Sequence, residues 1–258
     1  MTTTLWQYYT RNLSVETIKC KRTLVLWLAA GAPFFMVFLV FNVFYFKGHE
    51  LVNTGTNPWL AFQTQIMQMW PVLFFPLYIS LQSALYNGIE HQANTWKYVY
   101  SLAVPKWSVY GSKFTLFTAL IALTMLLLFG FTQATGMLLD WLQPDLGFGR
   151  YTAYAQYARD CFTLFLAALG ITAIQFYVSF RFRNFIWPAG FGLLMTITAV
   201  ALVRWEHIRK FPYAWPMVSW FKGRTEPASF PAEVYLSLVV FALAALIGYF
   251  ETARRNVD

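Results

Sequence analysis

Six long stretches of the chain contain no aspartate, glutamate, lysine or arginine. They are 17 to 39 residues long and cover 23–46, 51–89, 114–139, 161–180, 184–203 and 234–250. A helix needs about 20 apolar residues to cross a bilayer, because it rises about 1.5 Å per residue through a core about 30 Å thick. The spacing predicts an all-α, polytopic membrane protein with six transmembrane helices in a single domain, residues 1–258.

The composition agrees with a membrane location. Charged residues make up 12% of the chain, about half the share typical of soluble domains. Aromatic residues make up 20%, which suits lipid-facing surfaces and interfacial belts. We attribute the net charge of +8 to topology and lipid headgroups. The basic residues are scattered, so we expect membrane lipids and no nucleic acid among the partners.

Sequence signals for an enzyme are missing. The chain has no G-x-x-x-x-G-K-[ST], HExxH or GxSxG motif. His49, His91 and His207 are far apart and lack metal-ligand spacing. The six uncharged stretches contain no carboxylate, the usual mark of a proton relay within a membrane. We therefore expect no catalytic residue and no metal site, and proton-coupled transport and intramembrane proteolysis are disfavoured.

Lysine and arginine positions indicate the orientation, since cationic loops near spans stay in the cytoplasm. With the N-terminus inside, eleven Lys and Arg residues fall on the cytoplasmic side and eight outside. Five of those eight lie in the last outer loop, and without that loop the bias is strong. The distribution predicts a multi-pass protein of the bacterial plasma membrane with both termini in the cytoplasm.

Residues 2–22 precede the first uncharged stretch and are predicted to form an interfacial helix. The apolar side chains that share one face of a helical wheel are Leu5, Trp6, Tyr9, Leu13 and Cys20. An apolar face opposite a polar face is typical of helices that lie in the membrane interface. A plain polar tail is the alternative.

The second uncharged stretch is too long for one straight crossing. Asn57-Pro58 is a helix-start signal, so the second span is predicted to run from about residue 59 to about residue 86. Pro71 and Pro76 lie inside this span. Each proline lacks a backbone donor, so the sequence predicts a kinked helix.

Segment 204–233 follows the fifth span and combines interfacial aromatic side chains with helix breakers. It contains six tryptophan, tyrosine or phenylalanine residues between Trp205 and Phe221, and four prolines between Pro212 and Pro231. The rings favour the membrane interface and the prolines interrupt a continuous helix. The segment is predicted to form a broken interfacial or re-entrant element, and a structured outer loop is the alternative.

Loop 87–113, between the second and third spans, carries the most specific pattern. Asn94 or Thr95 can cap a short helix by accepting a backbone N–H, and Pro105 stops it. An apolar stripe follows at the spacing i, i+3, i+4, i+7: Trp96, Val99, Tyr100 and Ala103. The spacing predicts an amphipathic helix of two to three turns, which can dock on a partner or lie on the lipid headgroups.

This loop resembles that of the type-2 ABC exporter permeases, especially the small six-span permeases related to bacteriocin and peptide-antibiotic immunity transporters. Their pattern has a glutamate after the second span, then Gly-Thr-Trp-Lys, a proline, and a lysine at the start of the third span. The matching residues here are Glu90, Thr95, Trp96, Lys97, Pro105 and Lys113. Asn94 stands where the family usually has glycine, and asparagine tolerates a positive φ better than other residues.

The resemblance implies a role for the loop and a set of partners. In that family the loop is a coupling helix that docks on a dimer of separate ABC ATPase subunits, which bind ATP and Mg²⁺. This chain would hold no cofactor and would work with a second permease chain, identical or related. It would export an amphipathic or hydrophobic substrate such as a peptide antibiotic, a drug or a lipid. Trp96 would anchor the ATPase, and Glu90 would pair with a basic group on a neighbouring helix or on the partner. A structural or assembly subunit without its own transport path is the alternative.

Four polar residues in the second span fall within about 100° on a helical wheel. They are Gln65, Gln68, Gln82 and Ser83. An amide that faces lipid without a partner costs several kcal/mol, so these side chains should face protein or water. They either line a substrate path or hydrogen-bond between helices, where each contact is worth about 0.6 kcal/mol.

Overall fold

The computed structural model describes residues 5–52, 55–92, 105–182, 184–223 and 230–254. These residues are mostly helical and include no strand. The helices are α1 (Leu5–Cys20), α2 (Leu24–Leu51), α3 (Pro58–Met69), α4 (Phe75–Gln92), α5 (Lys106–Leu142), α6 (Tyr154–Arg181), α7 (Ile186–Ala201), α8 (Trp215–Gly223) and α9 (Ala232–Arg254).

In the described part of the chain, five segments are long and apolar enough to cross a membrane, judged by length and composition. They are Leu24–Leu51, Pro58–Glu90, Lys106–Leu142, Tyr154–Arg181 and Ala232–Thr252. The sixth uncharged stretch forms the shorter apolar helix α7, whose 16 residues span only about 24 Å. The prediction of an all-α polytopic membrane protein is confirmed.

The helix α6 occupies the centre of the bundle. It packs against α4, α5, α8 and α9, whereas α2 packs mainly along α5, and α1 lies along the start of α5. Much of the outer surface of α2 and α9 is exposed and apolar, as expected for helices that face lipid.

The second span begins and bends where the sequence predicts. The Asn57 carboxamide oxygen accepts a hydrogen bond from the Trp59 backbone N–H at 3.0 Å, and Pro58 takes the first helical position. A π-helical turn, Trp70–Phe74, separates α3 from α4 and contains Pro71. A widened turn accommodates a residue that has no N–H to donate. The two halves of this span therefore do not follow one regular helical repeat.

A glycine brings α7 into close contact with α4 and α6. The Gln175 amide of α6 donates a hydrogen bond to the Ser80 hydroxyl of α4 at 2.8 Å. A Cβ atom on Gly192 would overlap both Ser80 Oγ and Gln175 Nε2. The helix α7 thus packs closely over a buried hydrogen bond between α4 and α6, in a space that only glycine leaves free.

Within segment 204–233 the structure describes residues 204–223 and 230–233, and the first of these parts is a broken helical element. Two 3₁₀ turns, Ile208–Lys210 and Pro212–Ala214, precede α8. Trp215 is buried, and its indole N–H donates to the Arg209 carbonyl at 2.8 Å. The predicted break in the helix is confirmed, and the depth of the element in the bilayer stays a prediction.

An ionic contact ties this segment to α9. The carboxylate of Glu233, buried at the start of α9, pairs with Lys222 of α8 and, at 3.4 Å, with Arg209. Since the two cations belong to the broken element, the contact fixes that element against the last helix.

Candidate functional site

Both ends of loop 87–113 are described and both carry a buried charge. Glu90 lies in the last turn of α4 and Lys113 lies in the second turn of α5. The Lys113 side chain is only 1% exposed. Pro105 takes the N-cap position of α5, and its carbonyl accepts from the Ser108 N–H at 2.9 Å. The loop residues predicted to dock on a partner lie outside the described residues: Asn94, Thr95, Trp96 and Lys97.

Glu90 and Lys113 belong to a closed ring of four charges that includes two residues of α1. Lys19 Nζ lies 2.7 Å from Glu16 Oε1 and 2.7 Å from Glu90 Oε1. Lys113 Nζ lies 2.8 Å from Glu16 Oε2 and 3.0 Å from Glu90 Oε2. Each carboxylate thus bridges both ammonium groups. We call Glu16, Lys19, Glu90 and Lys113 the charge ring.

The charge ring has no net charge, and this neutrality makes its burial possible. A single buried ion loses several kcal/mol of hydration, and only close, well-satisfied partners recover it. Two carboxylates and two ammonium groups give a net charge of zero. The Tyr86 hydroxyl also donates to Glu16 Oε2 at 3.2 Å, and Lys113 Nζ lies 5.0 Å from the centre of the Tyr86 ring.

Glu16 and Lys19, the two charge-ring residues of α1, stay charged although they are buried. Burial alone would raise the pKa of the Glu16 carboxyl, but Lys113 and Lys19 hold that pKa below its ordinary value. Burial also opposes the charge of Lys19, yet Glu90 and Glu16 raise its pKa above the ordinary value. Both groups are therefore charged at neutral pH. Burial and the Glu16 charge raise the pKa of the Cys20 thiol to about 11, so the thiol stays protonated.

Two further hydrogen bonds fasten α1 to the start of α5. The Tyr9 hydroxyl donates to Thr115 Oγ1 at 2.8 Å, and the Asn12 amide donates to Ser108 Oγ at 2.8 Å. Tyr9, Asn12 and Glu16 lie on one face of α1 at helical spacing. The N-terminal helix is thus attached to the first three turns of α5.

The packed face of α1 differs from the predicted apolar face. Cys20 is buried as expected, but Trp6 is 71% exposed and Glu16 lies inside the packed face. Neither Glu16 nor Lys19 was predicted to take part in this packing. A signal existed, because Glu16 lies between Leu13 and Cys20 at spacings of three and four residues, in the predicted apolar stripe. A lone carboxylate in such a stripe indicates a buried cationic partner.

The partner expected for Glu90 lies within the protomer. Of the two alternatives, a basic group on a neighbouring helix or one on a separate subunit, the structure has the first, with Lys19 and Lys113 both in contact. Glu90 therefore joins α1, α4 and α5 at the place where loop 87–113 begins and ends.

The four polar residues of the second span do not form one continuous lining. Gln82 is buried and its amide donates to the Val25 carbonyl at 2.9 Å, while buried Ser83 donates to the Ser80 carbonyl at 3.0 Å. Gln68 is exposed, and Gln65 borders a cavity of about 360 Å³. The π-helical turn lies between the two pairs and changes their relative angle, which a regular helical wheel does not include. Gln82 therefore has the geometry of a helix-to-helix contact, whereas the hydrogen bond of Ser83 stays within α4.

Residues 12–199 match the family model described as ABC-2 family transporter protein. The match begins in α1, ends in α7, and contains all four members of the charge ring and the whole of loop 87–113. No curated protein and no solved structure matches the chain. The chain belongs to the ABC-2 family of transporter proteins. It is a multi-pass membrane permease subunit of an ABC transporter, a class that works with an ABC ATPase.

Proposed function

We propose that this permease exports an amphipathic or hydrophobic substrate, driven by ATP that a dimer of separate ATPase subunits hydrolyses with Mg²⁺. Loop 87–113 is the contact to the ATPase, and Trp96 is its anchor. The observation that carries this proposal is the charge ring, which fastens both ends of that loop to α1. A loop that transmits force from a partner must be rigidly attached to the rest of the protein at both ends.

The charge ring makes α1, α4 and α5 respond together to a displacement of the loop. Breaking a buried ion pair leaves an uncompensated charge and typically costs about 3–5 kcal/mol. The ring therefore resists separation of the three helices. From α4 the displacement passes through Ser80 and Gln175 to α7 and to the central helix α6.

The proposed assembly has two permease chains, identical or related, in a bacterial plasma membrane with both termini in the cytoplasm. The charge ring supports one part of this arrangement, because α1 and both ends of the coupling loop lie together at one end of the bundle. The substrate class is a peptide antibiotic, a drug or a lipid. Its support is the apolar surface of the spans and the scarcity of charges inside them.

A structural or assembly subunit without a transport path is the second candidate. The observation in its favour is the burial of Gln82 and Ser83 inside the protomer, since these residues do not line an open path there. Export assays separate the two candidates, because an assembly subunit binds partners and moves no substrate.

Co-expression with the Walker-motif ABC ATPases of the same genome tests the proposal. The purified complex, reconstituted in liposomes, should hydrolyse ATP faster than the ATPase alone and should move a fluorescent amphipathic peptide across the bilayer. A Walker-lysine variant of the ATPase should abolish both activities while the complex persists. A complex that hydrolyses ATP and moves none of a panel of peptides, drugs and lipids would favour the assembly subunit. Failure of every ATPase to associate would contradict the proposed exporter.

A further inference from the structure

An apolar groove of about 510 Å³ lies beside the charge ring, on the outer surface of the bundle. Its walls come from the start of α2, the end of α4 and the turn before α7. The lining residues include Leu24, Leu85, Ile89 and Phe185. Two of them, Leu24 and Phe185, are well exposed, so the groove opens sideways toward the surroundings of the protein.

Gly88 leaves the floor of this groove empty. A Cβ atom built at Gly88 would have no heavy atom within 4 Å. Every other residue type would extend into this space, so the depth of the groove depends on glycine at this position. A slender apolar group, such as an acyl chain, fits a groove of this shape.

Two basic residues stand next to the groove in the sequence, and we call them its rim. Lys21 and Arg22 directly precede Thr23, which lines the groove, and both side chains are exposed. Neither forms an ion pair with another residue in the described part of the chain. One turn further along α2, Trp27 is 77% exposed. An exposed tryptophan next to basic residues is typical of the level of the lipid headgroups.

We propose that this groove binds one acyl chain of an anionic phospholipid, whose phosphate contacts Lys21 and Arg22. The charges of the rim and of the headgroup are complementary, and basic residues next to a span attract anionic lipids. The apolar walls exclude an occupant that is polar throughout. The assignment of this site to the cytoplasmic leaflet rests on the proposed orientation. The site itself does not depend on that orientation.

The bound lipid would contact the start of α2 and the end of α4, next to the charge ring. Ile89, in the wall, directly precedes Glu90, and Thr23 follows Cys20 at the end of α1 by three residues. Occupation of the groove therefore holds α2 against the end of α4. The expected consequence is a lipid-dependent rise in thermal stability.

Lipid retention by the purified full-length chain tests this site. The delipidated protein is titrated with dioleoyl-phosphatidylglycerol or dioleoyl-phosphatidylcholine, and bound lipid is counted by native mass spectrometry and through the shift in melting temperature. Wild type should prefer phosphatidylglycerol about tenfold. Inorganic phosphate at equal concentration should not change the melting temperature, because the acyl chain is required.

Two variants remove the two halves of the site. Gly88→Leu fills the groove, and the double substitution Lys21→Gln with Arg22→Gln removes the rim charges. Each should lower phosphatidylglycerol retention about tenfold. The matched control, Arg11→Gln with Lys47→Gln, removes two exposed positive charges elsewhere and should stay within about twofold of wild type.

Three results would overturn the proposal. Equal binding of the two lipids by wild type would contradict the proposed contact between the anionic headgroup and Lys21 and Arg22. Unchanged retention in Gly88→Leu would mean that surface charge acts without the groove. A change of oligomeric state in Gly88→Leu with unchanged lipid retention would make the groove an interface between two copies of the chain. If Gly88→Leu fails to fold, the rim double variant and its control decide the question alone.

Discussion

The ammonium group of Lys113 on α5 lies 2.8 Å from the carboxylate of Glu16 on α1, although 97 positions separate the two residues. Both side chains are buried, and each also contacts another member of the charge ring. This contact joins the N-terminal helix to the far end of loop 87–113. It ties two parts of the chain that sequence patterns alone leave unconnected.

Loss of one charge from the ring should cost more than loss of a balanced pair. Lys113→Met leaves two carboxylates and one ammonium group buried, and should destabilise the protein by about 3–5 kcal/mol. Glu16→Gln combined with Lys113→Met leaves the neutral pair of Lys19 and Glu90, which is 2.7 Å apart, and should cost less. Thermal unfolding in detergent measures both.

The control for the charge ring is Lys47→Met, at an exposed lysine near the opposite end of α2, and it should shift the melting temperature little. If the double variant is less stable than Lys113→Met alone, the four charges do not act as a balanced unit.

The contact at Gly192 gives a test of how α7 is held. Gly192→Ala places a methyl group against Ser80 and Gln175 and should destabilise the protein by about 1–3 kcal/mol through overpacking. Gly190→Ala, two residues away, meets no atom within 4 Å. Because alanine favours helices by about 0.5–1 kcal/mol over glycine, this control should be neutral or stabilising. Equal effects of the two changes would contradict the close packing of α7.

Gln68 and Gln82 should respond differently to the same substitution. Gln82→Leu removes the donor to the Val25 carbonyl and should lower the yield of folded protein, because a buried acceptor loses its partner. Gln68 is exposed, so Gln68→Leu should leave the yield unchanged and lower transport if this side chain faces the substrate. Normal transport by Gln68→Leu would contradict the assignment of Gln68 to the substrate path.

Cysteine labelling in intact cells tests the orientation. Cysteines introduced at Thr4 or Asn256 should resist a membrane-impermeant thiol reagent, whereas a cysteine at Asp145 should react. Asp145 is exposed in the short turn after α5, and the native Cys20 and Cys161 are buried and should add little background. Labelling at residue 4 would place loop 87–113 on the wrong side for an ATPase, and labelling at residue 256 alone would contradict the cytoplasmic C-terminus.

Sequence patterns predict the class of fold well because they count charges and apolar residues, which a bilayer constrains directly. The helix-start signal at Asn57 and the break near Pro71 both follow from local backbone chemistry, and both are present. The uncharged stretch 184–203 yields only the 16-residue helix α7, because the absence of charge measures compatibility with lipid and not the length of a helix.

The candidate site was predictable only in part. Glu90 and Lys113 follow from the family resemblance, but their contact with Glu16 and Lys19 depends on how α1 packs across α5. The sequence also could not predict that Gln65 and Gln68 face differently from Gln82 and Ser83. A helical wheel assumes one constant angle per residue, and the π-helical turn between the two pairs departs from it.

The most direct test of the account is the effect of Trp96→Ala on the complex with the ATPase. Truncating an aromatic anchor at an interface typically costs 2 kcal/mol or more, which is about thirtyfold in affinity. We expect normal membrane abundance of the variant, weakened co-purification of the ATPase, and no stimulation of ATP hydrolysis by the permease. A Trp96→Ala protein that binds its ATPase with wild-type affinity and still exports substrate would contradict the assignment of loop 87–113 as the coupling contact.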